Sequence, residues 1–336
     1  MNGRPPSTGI MRAMEFKKVG SPLEMVERAM PAPGASQVVV QVAACGVCRT
    51  DLHVVDGDIR GLRPIVPGHE IVGRVVAMGD AVTRFDLDDR IGVPWLGATC
   101  GECRYCRTRQ ENLCDAPQFT GFSVDGGFAS HALAEADYCF ALPPAIDDAH
   151  AAPLLCAGLI GYRAFGQIGD AQTIGFYGFG ASAHILAQIA TSLGCTIAAF
   201  TRPGDEEGQE FARGLGCAWA GGSDVTPPFE LDAAIIFAPV GALVPLALSA
   251  VRKGGTVVCA GIHMSDIPAF PYELLWGERK LRSVANLTRA DGEAFFAAIA
   301  DLPVRTRIER FALDDANEAL DKLRNGRIKG AAVVVP

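Results

Sequence analysis

The sequence predicts an α/β chain in two parts, a β-rich first domain and a doubly wound parallel-sheet domain after it. Three observations carry this. The chain has 336 residues, more than a single domain of ~100–200 residues accounts for. Its first 150 residues are built of short β-branched runs punctuated by Pro, Gly and Asp. From residue 173 onward, apolar strands alternate with helical segments, the signature of a doubly wound sheet.

The elements follow in order. Residues 1–13 (MNGRPPSTGIMRA) lack a long apolar stretch, so they predict a flexible, Pro-bearing tail and no secretory signal. VVVQVAA (38–44), EIVGRVVAMG (70–79) and RIGVPWL (90–96) read as strands. TIGFYG (173–178) is a strand, 181–193 a helix closed by Gly194, and TIAAFT (196–201) a second strand. A helix ends near 211–216, LDAAIIFA (231–238) is a strand, 243–251 a helix, and GTVVCAG (255–261) a strand. A helix over 315–325 and a last strand over 331–335 close the chain.

Composition narrows the function. Hydrophobic residues are 49% and charged residues 20%, enough for a sizeable core and unlike a disordered chain. A formal net charge of -8 argues against nucleic acid and anionic membrane as partners. Residues 171–201 and 233–251 carry no Asp, Glu, Lys or Arg and are each long enough to span a bilayer. Gly175, Gly178, Gly180 and Gly194 interrupt the first; Pro239, Gly241 and Pro245 interrupt the second. Both therefore read as strand–turn–helix units with buried parallel strands, not as membrane spans.

Eleven cysteines are an odd count for a disulfide scaffold, and several cluster at metal spacing. Cys100, Cys103, Cys106 and Cys114 form CGECRYCRTRQENLC, four thiolates able to close a tetrahedral shell around zinc. An Fe–S cluster would also accept four cysteines, although the spacing and Asp115 after Cys114 depart from the bacterial cluster run. A second set is dispersed: Cys48 in CGVCRTDLH, His69 in PGHE, Cys156 in APLLCAG. Two thiolates, an imidazole and an open fourth position would make a catalytic zinc site. Spacing alone does not bring these three together, and each has an ordinary reading as a core side chain.

The ordered set GVCRTDLH, PGHEIVG, the four-cysteine lobe, DGGFA (125–129), CAG, a Gly-rich βα turn and a closing strand resembles the zinc-dependent medium-chain alcohol dehydrogenases over nearly the whole chain. The resemblance implies a GroES-like catalytic domain over 1–156, a Rossmann cofactor domain over 157–290, and a return to the first domain over 291–336. It implies that Cys48, His69 and Cys156 bind a catalytic zinc and that the four-cysteine lobe binds a structural one, two zinc ions per chain. Glu70, beside His69, is an alternate ligand or a nearby charge. Thr50 and His53 form the proton relay, bridged by the cofactor ribose, and Asp51 orients His69. Trp95 lines the substrate pocket or packs in the β-rich domain. As a pocket wall it favours small primary alcohols and aldehydes.

GFYGFGASAH (175–184) follows a strand and opens a helix, so Gly178, Gly180 and Ala183 fit the dinucleotide fingerprint. Arg49, by resemblance, adds a pyrophosphate contact, and Gly261 and Ile262 after a later strand are assigned to the cofactor as well. An acidic residue at the end of the second strand would bind the ribose 2′-OH of NAD. Thr201 and Arg202 stand there instead, which favours NADP, with a 2′-phosphate met by both side chains. Asp205, Glu206 or Glu207 could still serve NAD if the turn is longer. The family's closing-strand Arg is replaced by Ala331, and Arg289, Arg327 or Lys329 are the candidates to compensate.

The expectation is a cytoplasmic homo-oligomer, dimer or tetramer, acting on a small alcohol or aldehyde. The rivals are an NAD-dependent enzyme, a polyol or sugar dehydrogenase of the same superfamily, and a non-enzymatic cofactor-binding protein on the same scaffold.

Overall fold

The computed structural model describes residues 9–302 and 304–336. The chain divides into two compact units. The first runs up to Cys156 and adds Asn286–Ala300 and Arg305–Pro336; the second is Ala157–Ala285 with Asp301, Leu302 and Val304.

The first unit is built on a mixed sheet in the order Ile308–Ala312, Ala331–Val335, Gln37–Val47, Glu70–Met78, Arg90–Val93, Phe140–Ala141, with His131–Glu135 also paired to Gln37–Val47. The long strand Gln37–Val47 is the hub. It pairs antiparallel with Glu70–Met78, with a register shift between Val42 and Ala44, and with Ala331–Val335, where Val333 faces Gly46. The bulge falls just before the Cys45–Cys48 segment, a common place for a strand to re-aim its side chains. The expected strand 90–96 stops at Val93 and resumes as Leu96–Ala98. Pro94 has no N–H to donate to a ladder.

Two expectations need correction. Residues 1–8 of the predicted tail lie outside the described residues, but Ile10–Glu15 is a strand paired with Glu24–Ala29. Met11, Ala13, Met14 and Phe16 are buried in the main core of this unit, so the segment is structural rather than flexible. The return to the first unit begins at Asn286 rather than 291. The helix Arg289–Ala298 packs Phe296 against Phe140 at 5.6 Å between ring centroids.

The second unit is a six-stranded parallel sheet in the order Trp219–Gly222, Thr196–Thr201, Thr173–Tyr177, Leu231–Ile236, Val251–Cys259, Lys280–Ser283. In sequence terms this is 3-2-1-4-5-6, the doubly wound arrangement. Alternate side chains of each strand enter different cores. Ile174, Phe176, Ile197, Ala199, Ala233 and Ile235 belong to one; Tyr177, Ala198, Phe200, Ala234 and Ile236 belong to the other. Burial on both faces is why these strands are apolar throughout. Among the described residues, no helix is long and apolar enough to cross a membrane.

Asp232, near the start of a central strand, locks that strand to its neighbour. Its Oδ2 accepts hydrogen bonds from the backbone N–H groups of Gln172 and Thr173, both at 2.9 Å, and Arg252 donates to Oδ1 at 2.6 Å. Arg252 foremost, then those backbone donors, hold the carboxyl far below the usual carboxylate range. A depressed folded-state pKa adds stability above the unfolded value of ~3.9 and loses it as pH falls below that. Asp232→Ala is therefore expected to destabilise the chain by about 1–3 kcal/mol at pH 7. Urea denaturation repeated between pH 7 and pH 3 should show the difference from wild type shrinking toward the acid end.

Candidate metal centre and nucleotide cradle

The strand Gln37–Val47 delivers Cys48 to the N-terminus of the helix Arg49–Asp56. Cys48 is the N-cap: its Sγ accepts from Thr50 N at 3.3 Å, while Asp51 Oδ2 accepts from Cys48 N at 2.8 Å. A sulfur in this position faces the positive end of the helix, which favours thiolate. The other oxygen of Asp51 takes His69 Nδ1 at 3.0 Å and Gly68 N at 3.2 Å. Asp51 is 1% exposed and His69 0%. This contact fixes the ring so that Nε2 points to Cys48 Sγ, 3.2 Å away. Cys156 Sγ stands 3.9 Å from Cys48 Sγ. With Glu70, these donors lie within 4.8 Å of one another.

Proton sharing within this cluster is lopsided. Cys48 is driven well below the ordinary thiol range, first by its hydrogen bond to Cys156 and then, against burial, by the charge of His69. Cys156 is driven well up as the proton-holding partner. Burial would lower His69, but Asp51 and Cys48 outweigh it and push the imidazole well up. Burial holds Glu70 well above the carboxylate range. Two soft sulfurs, one imidazole and one carboxyl in a dry interior are a donor set that could hold a zinc ion. A tetrahedral shell with Zn–S of ~2.3 Å has sulfur–sulfur edges of ~3.8 Å, close to the spacing found.

Glycines make room. Gly68 sits at φ +96°, and a Cβ there would lie 2.6 Å from the Phe128 ring and 2.8 Å from Cys45 Sγ. A Cβ on Gly46 would lie 1.8 Å from Glu70 Oε2. The PGHE and CGVC glycines are thus steric requirements of the centre.

Trp95 meets the ligand ring directly. Its ring is edge-on to His69 at 5.0 Å, stacked on Phe119 at 5.0 Å and tilted against Phe122 at 5.7 Å. Sequence reasoning missed Phe119 and Phe122, which carry no motif. It also missed Asp58, whose Oδ2 lies 2.7 Å from His53 Nδ1. Arg49 is exposed at the first turn of the same helix as Thr50 and His53.

The four-cysteine lobe is a second donor cluster. Sγ–Sγ distances are 3.4 Å for Cys100–Cys114, 3.5 Å for Cys103–Cys106 and 3.9 Å for Cys100–Cys106. Sulfurs this close would fit around a single ion rather than a multi-iron cluster. Backbone N–H groups of Cys106 and Asp115 bring Cys103 down to about 6. Glu111 ties the lobe down by accepting Arg289 N at 3.1 Å and Nε at 3.4 Å. Arg289 and Arg327 are accordingly engaged at home, the latter with Asp321 at 2.5 Å. Neither stands free to replace the side chain that Ala331 lacks.

In the second unit, the first and fourth strands of the chain order lie side by side, the switch point where doubly wound sheets bind nucleotides. Gly178 follows the first of these at φ +89°, and a Cβ there would lie 2.7–2.8 Å from Ala238. Gly180 caps the helix Ala181–Ser192 and has open space where a Cβ would be. The first N–H groups of that helix have no partner within it, a ready anion site. Ala183 is fully buried in the packing behind it. Gly261 N donates to Ile236 O at 3.1 Å, and Ile262 is exposed next to it.

Thr201 is the exception to the expected cofactor set. It is 5% exposed, and its hydroxyl hydrogen is directed at a backbone carbonyl, Arg202 O at 3.1 Å or Gly221 O at 3.4 Å, while Gln209 donates to it at 3.2 Å. It is an internal brace rather than a phosphate donor. Arg202 is exposed beside it. Asp205 is committed as the N-cap of the helix Glu206–Gly214, accepting from Gly208 N at 2.9 Å.

Residues 34–144 match the family model described as the alcohol dehydrogenase GroES-like domain. A Mycobacterium tuberculosis (strain CDC 1551 / Oshkosh) protein named "Probable alcohol dehydrogenase AdhA" is 44% identical over 344 residues, covering 98% of this chain and 99% of its own. Among solved structures, a dehydrogenase of Sinorhizobium meliloti 1021, described as zinc-binding and bound to NADP, is 25% identical with a TM-score of 0.86, over 98% of this chain and 100% of its own. Acetophenone reductase of Geotrichum candidum, in complex with NAD, is 26% identical with a TM-score of 0.86, over 97% of each chain.

Gly68→Ala tests the steric claim. A left-handed φ on a residue with a Cβ, together with the clash against Phe128, is expected to destabilise the first unit by about 2 kcal/mol or more. Urea denaturation reads the loss, and metal content should fall at the His69 cluster but not in the four-cysteine lobe.

Proposed function

The chain belongs to the zinc-dependent medium-chain alcohol dehydrogenase family, and from that premise we propose that it interconverts alcohols with aldehydes or ketones by hydride exchange with NADP(H). The observation that carries this reading is the convergence of Cys48, His69 and Cys156 on one buried point, with His69 oriented by Asp51. These three would hold a catalytic zinc, with Glu70 beside them, and Cys100, Cys103, Cys106 and Cys114 a structural one. A zinc ion at the first site makes a bound hydroxyl acidic and polarises a carbonyl.

The remaining work falls to side chains. Asp51 accepts from Nδ1 of His69 and so leaves Nε2 as the donor atom toward the metal. Thr50 N donates to Cys48 Sγ at 3.3 Å, which supports a place for the Thr50 hydroxyl beside the centre, where it would take a proton from a substrate hydroxyl. His53 lies three residues further on the same helix, hence on the same face. With Asp58 accepting from Nδ1, Nε2 of His53 exchanges the proton with solvent. The family resemblance implies that a bound cofactor would complete the relay between Thr50 and His53. Arg49 is offered to the pyrophosphate.

Trp95, Phe119 and Phe122 form an apolar aromatic wall, which supports small primary alcohols and aldehydes as substrates. A polyol or sugar would leave hydroxyls unpaired against such a wall. For the cofactor, Gly178, Gly180 and Ala183 support a pyrophosphate seat, with Gly261 and Ile262 near the nicotinamide side. Exposed Arg202 supports NADP(H) over NAD(H), and the capping role of Asp205 takes away one acid that NAD would use. The intact donor set weighs against a non-enzymatic role. None of the eleven cysteines forms a disulfide, which supports a reducing compartment such as the cytoplasm. Assembly as a dimer or tetramer belongs to the same proposal.

Cys48→Ser is expected to hold one zinc fewer per chain and to lose alcohol-dependent NADP reduction by more than about 100-fold, since changes in outer-shell groups alone reach that range. A variant that kept both metal content and activity would overturn the assignment. Arg202→Ala is expected to raise the KM for NADPH about 10–100-fold and leave that for NADH nearly unchanged. Initial rates over an aldehyde series read both, and equal or better wild-type rates with NADH would remove the argument from Arg202.

A further inference from the structure

His69 enters its centre on the short run Val66-Pro67-Gly68, which belongs to no helix or strand. Such a run is held in place only by what its backbone polar groups bond to. Every one of them has a partner. Gly126 N donates to Val66 O at 2.7 Å, Phe128 N to Pro67 O at 2.9 Å and Gly127 N to Gly68 O at 2.8 Å. Pro67 has no N–H, and Gly68 N goes to Asp51. The one remaining donor, Val66 N, is met by a side chain, Asp125 Oδ1 at 2.9 Å. Arg28 Nη1 donates to the second oxygen of that carboxylate at 2.6 Å, and Arg28 is itself paired with buried Glu15.

The segment 125–128 is thus a strap laid along the run that carries the ligand. Its two glycines are needed for contact: a Cβ on Gly126 would lie 2.1 Å from Gly68 O, and one on Gly127 would lie 2.4 Å from Ile71. Asp51 fixes the run at its His69 end and the ring beyond it. Asp125 fixes the other end.

We propose that Asp125 is a positioning residue for the Cys48–His69–Cys156 centre, acting through its hydrogen bond to Val66 N. The proposal rests on the zinc-centre reading above. Losing this bond frees the run at its entry, so His69 Nε2 spends less time at the metal and the ion leaves faster. The backbone of this run is bonded to Asp51 and residues 125–128 and not to the four-cysteine lobe, which serves as an internal control.

The experiment loads the full chain with zinc and follows release to a colorimetric chelator. The kinetic phase missing from Cys48→Ser identifies the centre; the remaining phase belongs to the lobe. Asp125→Ala is expected to speed the centre's phase about 10-fold or more, as outer groups that orient a ligand do, and to leave the lobe's phase unchanged. Asp125→Asn keeps an oxygen for Val66 N and is expected to stay within about threefold of wild type. An unchanged centre phase in Asp125→Ala would overturn the proposal. So would equal acceleration of both phases, which marks general loosening, or equal acceleration by the Ala and Asn variants. If wild type has no phase that Cys48→Ser removes, the zinc-centre reading itself fails and takes the proposal with it.

Discussion

One carboxylate organises the centre of the first unit. Asp51 caps its own helix by accepting Cys48 N, and with its other oxygen it holds both the His69 ring and Gly68 N. Cys48 and His69 are 21 residues apart in the chain, on opposite ends of a connection that includes an exposed loop. A helix cap is a local device usually worth about 1 kcal/mol. Here the same group also joins two segments, so the helix start and the ligand ring move together or not at all. Burial of Asp51 is expensive for a charged group unless it is paired and fully bonded. Three contacts, the backbone N–H of the N-cap, that of Gly68 and the His69 ring, meet that condition.

The two donor clusters solve different problems. The lobe gathers all four sulfurs from a stretch of 15 residues and aims backbone N–H groups at them, Cys100 N to Cys114, Cys103 N to Cys100 and Ala116 N to Cys114. Its order is local, with a long-range tether from Glu111 to Arg289. The buried centre draws from three distant points, Cys48, His69 and Cys156, and depends on the sheet to bring them together. Removing a strand would dissolve it, whereas the lobe needs little beyond its own turns.

That contrast also explains what could be read in advance. The lobe was legible because its ligands share one short spacing pattern. The doubly wound unit was legible because burial on both faces makes every strand apolar and every connection a helix. The buried centre was legible only through the ordered set of motifs in a known family, since no spacing rule joins Cys48 to Cys156. What stayed hidden were contacts made by common residue types in space. Phe119 and Phe122 are ordinary aromatics until they stack on Trp95. Asp125 is an ordinary turn aspartate until Val66 is found above it. Thr201 has the right place in sequence for a phosphate donor, but its hydroxyl is taken up by backbone carbonyls and Gln209. Residues 1–13 read as tail for want of a long apolar stretch, and only pairing with Glu24–Ala29 reveals the strand Ile10–Glu15.

The edge-on contact between Trp95 and His69 has an evolutionary consequence. If Trp95 bounds the substrate pocket as proposed, the same residue also packs against the proposed metal ligand His69. A smaller side chain at position 95 would then widen the substrate range and loosen His69 in one step, coupling selection for new substrates to metal retention. Phe119 and Phe122 pack on the far side of this contact, against Trp95 and each other. On the proposed reading they are the positions at which substrate range would drift with the least effect on His69.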